Sequence, residues 1–536
     1  MSLAQRVRVL ICREFPRWTP RRNWGHALEV AIELAERILK NGPLAVAASK
    51  QIMQQAREWS EAEAWSKQME IARPAVNSED TREGSRAFAD ACGGQNKSSA
   101  EEINVSWDFE TEPEFQKELD WVAQFVREEV EPLDYVLGHP YDVRDRKRNA
   151  LVRPLQAEVK KRKLWACHLG PELGGQGYGQ VKLALMNEIL GGSRFAPTVF
   201  GCQAPDSGNG EILAHYGTPE QKKRFLQPLL DNEIVSAFSM TEPQGGADPK
   251  VFTTKAELKG DSWVINGQKW FSSNAHLSSF LIVMAVTDPD ASAYKRMSMF
   301  IVPTDTPGVN ILRNMGVGTH EGEGSHAYIR YEDVHVPKDH MLGPRGGAFV
   351  VAQTRLGGGR IHHAMRTIGQ VRRAFDMMCE RVLSRTTQGS LLADKQMVQE
   401  KIADSWIEIE SFRLLVLRTA WKIDRYKDYL KVRKDIAAVK ATMPKVFHDV
   451  AARALYLHGS LGATNEMPFV EQVIQSFHMG LADGPTEVHK ITLARQVLRD
   501  YKATTDLFPT EHIPKLRAAA LKKYAGRIER EVSMQS

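Results

Sequence analysis

Long apolar runs are missing from this chain: none approaches the roughly 20 residues a membrane-spanning helix requires, so no membrane span is expected. Cysteine is scarce. The five (Cys12, Cys92, Cys167, Cys202 and Cys379) are scattered, odd in number and without a C-x-x-C pair. That excludes a disulfide framework or a thiolate zinc site as the organising feature, and it favours a reducing compartment. Excess charge is lacking too. A formal net charge of +5 over 536 residues leaves no global basic surface, so no nucleic-acid partner is expected. Acidic residues are nearly absent from 1–22, where Glu14 stands alone, but Pro16 and Pro20 interrupt any helix there. The segment reads as tail or linker rather than as a transit peptide, and a cytoplasmic location is expected. Also absent are a P-loop, a Rossmann glycine fingerprint, H-E-x-x-H and G-x-S-x-G.

What is present is a chain too long for one core, with 42% apolar and 26% charged residues. Residues 1–100 form a first segment that is helical in pattern from Ala27, broken at Asn41-Gly42-Pro43 and ended by a linker at Gly93 to Ser99. A helical region spans 105–233, opened by a cap and early proline at Thr111-Glu112-Pro113 ahead of Phe115, Leu119, Val122 and Phe125. Strand alternation then takes over across 234–345. Runs are expected near 252–258, 280–286, 299–302 and 327–336, with turns at Lys259-Gly260-Asp261 and Asn266-Gly267. Helical periodicity returns over 346–505, followed by an extension over 506–536. The fold class is mainly α with a central β domain: an N-terminal helical domain, a β-barrel or sandwich, and a C-terminal helical bundle.

A flavin site needs an aromatic wall, polar donors at the ring edge and a dry cavity. Phe238 and Trp270 can supply the wall, and Thr241 and Ser272 the hydrogen bonds. They lie in FSMTEPQGGAD (238–248) and NGQKWFSS (266–273); with the LADGP turn (481–485), these stretches resemble the acyl-CoA dehydrogenase family in order and spacing across about 107–501. GPELGGQG (170–177) and YGTPEQK (216–222) resemble two further landmarks of that family. The segment 27–92 resembles the C-terminal tail of enoyl-CoA hydratases, without that family's catalytic glutamates.

The resemblance implies FAD, held by Phe238, Met240, Thr241, Trp270, Ser272 and Pro485, with Arg385 and Gln396 reaching the FAD of a neighbouring subunit and Gly459 and Gly462 in the family's other dinucleotide loop. It also implies a homodimer or homotetramer, an acyl-CoA substrate with Ala247, Arg360 and Gly484 at its thioester end, and an electron-transferring flavoprotein as partner. Departures occur at Ala247, where many members have serine, at Gln388 and at Tyr456.

The chemistry requires a carboxylate that removes the α-proton of a thioester while a hydride leaves the β-carbon. Asp483, before Gly484, occupies the family's glutamate position, as in members with an Ala-Asp-Gly-Pro context; burial is expected to raise its pKa. Glu487 is the reserve candidate. The alternative base position, before Arg360, is Gly359, which cannot serve. Taken alone, Asp483 would read as a helix cap ahead of Pro485. His362-His363 suggests a metal, but adjacent helical residues point about 100° apart, so no metal site is expected. Gly357-Gly358-Gly359 implies a close approach within a helix facing the substrate cavity. The competing readings are an acyl-CoA oxidase using dioxygen and a non-catalytic, DNA-associated flavoprotein of the same fold.

Overall fold

The computed structural model describes residues 111–173, 175–318 and 324–535, with scattered helical residues between 47 and 74. The chain divides into two compact units, Met1–Asp108 and Phe109–Ser536. The hydratase-like segment expected over 27–92 lies almost wholly outside the described residues.

The second unit opens with helices α1 (Pro113–Phe125), α2 (Arg146–Lys161), α3 (Gly179–Leu190) and α4 (Asp206–Tyr216). Phe115, Leu119, Val122 and Phe125 form the buried stripe of α1, as their spacing predicts. Pro113 does begin that helix, but no side chain caps it; Thr111 Oγ1 donates to Glu112 instead (3.0 Å).

Eight strands follow: β1 (Ser236–Ser239), β2 (Lys255–Lys259), β3 (Ser262–Ser273), β4 (Phe280–Val286), β5 (Met297–Pro303), β6 (Val309–Met315), β7 (His326–Pro337) and β8 (Met341–Leu342). They form one sheet in the order β6-β7-β3-β2-β4-β5-β8, with β1 pairing parallel to β4. Every residue of β4 is buried, because its two faces serve two cores. Phe280, Ile282 and Met284 join α4 and the start of the next helix; Leu281, Val283 and Ala285 join Trp263, Phe300 and Tyr331. Full burial of each such side chain contributes about 1.5–3 kcal/mol.

The turn expected at Asn266-Gly267 is absent. β3 runs straight through it, with a bulge where Gly267 takes φ +149° and approaches Thr254 so closely that a Cβ would lie 2.6 Å from the Thr254 Cα. Strand β6 was not anticipated.

The C-terminal part is built on α5 (Ala348–Ser384), α6 (Gln396–Tyr426), α7 (Arg433–His458), α8 (Phe469–Leu481) and α9 (Thr486–Leu498), followed by α10 (Ile513–Gln535). One core joins the first helices to this bundle: Leu183, Met186 and Leu190 of α3 cluster with Ile361, Met365 and Ile368 of α5 and Phe412 of α6. Among the described residues no helix is long and apolar enough to cross a membrane.

Candidate active site

The expected residues divide between the sheet and the C-terminal helices. On the sheet side, Trp270 N donates to Thr241 O at 3.0 Å, which ties the chain just after β1 to β3 and sets Thr241 beside Trp270. Trp270 is half-buried, with Phe271 edge-on at 5.0 Å and Tyr328 at 6.5 Å. Behind Trp270, Lys269 and Glu242 form an ion pair at 2.8 Å, both essentially inaccessible. Lys269 Nζ also donates to Met240 O (2.7 Å), and Glu242 accepts from the backbone of Thr253 (2.6 Å) and Thr254 (3.0 Å). Burial pushes the Lys269 ammonium down to about 8 against the pull of Glu242. Burial also raises Glu242, but Lys269 and the threonine donors outweigh it and hold the carboxyl below its ordinary value.

Ser272 stands apart from the hydroxyl role expected of it. Its Oγ donates to Ser239 Oγ (2.9 Å), Ser239 bonds Tyr331 Oη (2.8 Å), and all three residues are buried. That hydroxyl belongs to the sheet core.

On the helix side, Arg355, Gly359 and Arg360 lie on α5 with His363 beyond them. Arg355, Gly359 and His363 are spaced i, i+4, i+8 and so share one face. Asp483 fills the gap at Gly359, where a Cβ would sit 3.4 Å from its Oδ2. Its Oδ1 is 4.0 Å from Arg355 Nη1 and its Oδ2 is 3.8 Å from His363 Nε2. The carboxylate is 18% exposed. The residue is left-handed, φ +53°, a conformation that costs of order 1–3 kcal/mol and persists only when surroundings hold it. Arg360 Nε donates to the Asp483 carbonyl at 3.0 Å and His489 Nε2 approaches the same oxygen at 3.3 Å.

Asp483 is not a helix cap. The N-cap of α9 is Pro485, and no side chain caps that helix. The upward pKa shift expected of Asp483 is also corrected: burial raises it, but His363, Arg355, Arg360 and Lys440 together pull it below the ordinary carboxylate value. Lys440, buried on α7 and donating to Met479 O, is itself pushed down to about 8 by burial. Glu211 of α4, whose Oε2 would lie 3.2 Å from a Cβ on Gly358, is raised to about 7 by burial. Tyr429 packs on Gly357, so the three glycines make the close approach within the helix that was expected. The reserve candidate Glu487 is exposed on the first turn of α9.

Phe238 links the two sides, since the Arg355 guanidinium covers its ring at 4.1 Å. Gly484 and Pro485 extend from the base into α9, and Ala247 is exposed on the loop after β1. Arg385 and Gln396 are exposed at the far end of α5, around the hairpin of Thr386–Thr387 and Ser390–Leu391. Gly459 and Gly462 follow α7 in the same neighbourhood, because Arg381 Nη2 donates to His458 O at 3.2 Å. At 1.5 Å per residue this end of α5 is roughly 40 Å from Gly359. Arg355 thus joins Phe238 to Asp483, Trp270 is tied to Thr241, and Arg385, Gln396, Gly459 and Gly462 lie apart at the far end of α5.

Sequence reasoning missed Arg355, His363, Lys440, Glu211 and His489 as site residues. The signal for the first two was their four-residue spacing on either side of Gly359. His362 and His363 do diverge: His362 turns to His168 (6.4 Å between rings) while His363 faces Asp483. Among the described residues no group of three or more histidine, cysteine or acidic side chains is arranged to hold a metal ion. Phe238, Met240, Thr241 and Trp270 are all half-buried and together offer the mix of apolar surface and hydrogen-bonding groups that a flavin ring needs.

Comparison with known proteins agrees in extent and order. Family models for the N-terminal, middle and C-terminal domains of acyl-CoA dehydrogenases match residues 112–233, 237–334 and 346–498. The chain is 39% identical over 384 residues to "Probable acyl-CoA dehydrogenase FadE2" of Mycobacterium tuberculosis, covering 69% of this chain and 93% of that protein. It is also 39% identical over 396 residues to "Acyl-CoA dehydrogenase family member 11" of Gallus gallus, but there it covers 72% of this chain and 50% of the relative. The solved structure of butyryl-CoA dehydrogenase from Megasphaera elsdenii superposes with a TM-score of 0.62 at 26% identity, over 73% of this chain and 100% of that one. Three consecutive domain matches, relatives at this identity and a shared fold place the chain in the acyl-CoA dehydrogenase family, as an FAD-dependent oxidoreductase that dehydrogenates acyl-CoA.

Proposed function

We propose that the chain removes hydrogen across the α,β bond of an acyl-CoA to give the trans-2-enoyl-CoA, with Asp483 as the base and an electron-transferring flavoprotein as electron acceptor. The observation that carries the assignment of the base is the seating of Asp483: a carboxylate in the Gly359 gap of α5, flanked by Arg355 and His363. Phe238, Met240, Thr241 and Trp270 would hold the flavin ring, and FAD, when bound, accepts the β-hydrogen as hydride.

The chain's own residues do the rest. The cations around Asp483 keep it ionised at neutral pH, so it is ready to take the α-proton. Arg360 and His489 fix the left-handed turn that aims it. Partial burial excludes most water from the carboxylate, which strengthens its interaction with the developing charge. Arg360 and Gly484 would border the thioester.

Arg385, Gln396, Gly459 and Gly462 would serve the FAD of a second subunit, a reading supported by their distance from Asp483 along α5. Homo-oligomerisation is further supported by large apolar side chains left exposed on α6, α8 and α9, among them Met397, Trp406, Phe477, Leu481 and Leu498.

The test is anaerobic. The FAD-loaded protein is mixed with a panel of saturated acyl-CoAs and flavin bleaching is followed for wild type and Asp483→Asn. Bleaching that disappears in the variant while FAD stays bound supports the reading. No bleaching with any thioester overturns it. Rapid re-oxidation by dioxygen without an electron-transferring flavoprotein would replace the dehydrogenase by an oxidase.

A further inference from the structure

We propose that His363 is a proton relay for the Asp483 base: it passes the substrate's α-proton from the carboxyl to solvent. The inference rests on the assignment of Asp483 as base and goes beyond it, because that assignment leaves the proton on a carboxyl that is only 18% exposed. A base that must act again has to lose this proton by some route.

The geometry supplies one neighbour suited to take it. His363 Nε2 lies 3.8 Å from Asp483 Oδ2. That is about 1 Å beyond hydrogen-bond contact, a gap that a small side-chain rotation closes. The other groups facing the carboxylate cannot play this part. Arg355 and Arg360 on α5 hold their protons at any working pH. His489 of α9 meets the backbone carbonyl rather than the carboxylate. Lys440 of α7 is committed to Met479 O.

His363 is 27% exposed against 18% for Asp483, so the proton moves to the more open of the two groups. The imidazole is also in the accepting form. Burial, Arg366, Lys440 and His478 push its pKa down against the opposing pull of Asp483, leaving it neutral at physiological pH. Asp483 is itself pushed down, so a proton placed on it is readily given up.

The balance is simple. The Cα–H bond of the thioester breaks and an O–H bond forms on Asp483. That O–H then breaks as N–H forms at Nε2, and the imidazolium releases one proton to water. No electrons move in the relay, and the β-hydride leaves separately.

The experiment separates relay from base. FAD-loaded protein is incubated in deuterium oxide with an acyl-CoA whose β-carbon is replaced by sulfur, which can lose an α-proton but has no β-hydride to give. Exchange of the α-hydrogens is read by mass spectrometry, and flavin bleaching by an ordinary acyl-CoA is measured in parallel.

For His363→Gln we expect exchange to fall at least tenfold more than the bleaching rate does. For His363→Gly we expect added imidazole to restore exchange in proportion to its concentration, a response that a merely structural role would not give. Exchange at the wild-type rate in His363→Gln overturns the relay, as does a parallel fall of exchange and bleaching without imidazole rescue. Asp483→Asn is the separate control. If exchange survives that substitution, the base assignment fails, whatever the histidine variants do.

Discussion

Two charge clusters among the described residues, one behind Trp270 and one at Asp483, are built on opposite principles. Behind Trp270, Lys269 and Glu242 pair one to one, and Met240 O, Thr253 and Thr254 take up much of their remaining hydrogen-bonding capacity. At Asp483 one carboxylate faces Arg355, Arg360, Lys440 and a histidine, none within ordinary hydrogen-bond contact of its oxygens. The first cluster is saturated and holds a strand end in place. The second is unbalanced and loosely coupled, and that leaves a reactive oxygen available. A saturated pair should therefore answer to substitution in stability, and an unsaturated one in rate.

The largest effect is expected at the unbalanced cluster. Asp483→Asn should lower the rate of flavin bleaching by acyl-CoA about 10²–10⁴-fold, the range for a positioned general base, with little change in thermal midpoint. Lys269→Met should reverse the pattern. It leaves Glu242 buried and unpaired, at a cost of about 3–5 kcal/mol, seen in denaturant unfolding as a lower midpoint at unchanged slope.

Acid sharpens the contrast. Because Glu242 has its folded pKa depressed, its stabilising contribution is complete above its ordinary value of 4.5 and is lost as pH falls through the folded value. Wild-type stability should therefore drop below that pH. Asp483 is depressed in the same sense, so in wild type the acid limb of kcat/KM assigned to the base should lie below 3.8. Lys440→Met removes one of the cations responsible. That limb should move to higher pH, with less than about a tenfold loss on the plateau, as a pH–rate profile would show.

The smallest effects test the seating itself. Gly359→Ala introduces a Cβ 3.4 Å from Asp483 Oδ2 and should reduce kcat a few-fold. Glu487→Gln, on an exposed surface, should change it by less than about twofold; a larger loss would transfer the base role toward α9.

Most of this organisation could be read from the residues. The α1 stripe, the strands at 280–286 and 327–336 and the bundle after 346 follow from periodicity, and the family match at 112–498 agrees with the resemblance drawn from short stretches. The failures have local causes. Asn266-Gly267 has the chemistry of a hairpin turn, but Thr254 packs against Gly267 and the strand bulges instead of reversing. Ser272 has the hydroxyl a ligand would want, yet the alternation of β3 turns it toward Ser239.

Asp483 was expected to be raised because burial is visible in a sequence pattern, whereas the cations that reverse the shift come from α5 and α7, far along the chain. His363 was weighed with its immediate neighbour, when its partner on the helix face was Gly359, four residues earlier. Only the tertiary position of Asp483 gives that spacing its meaning.

Helix α5 is 37 residues long and unbroken, carrying Arg355, Gly359 and His363 near one end and leading into the Arg385 hairpin at the other. A rod of this kind indexes both ends to each other. Inserting one residue between them would turn one end by about 100° and shift it by 1.5 Å relative to the other. Where a loop tolerates changes in length, this segment does not: its residue count acts as a gear ratio, and a single added tooth would misalign the base with the distant hairpin while leaving every side chain in the chain intact.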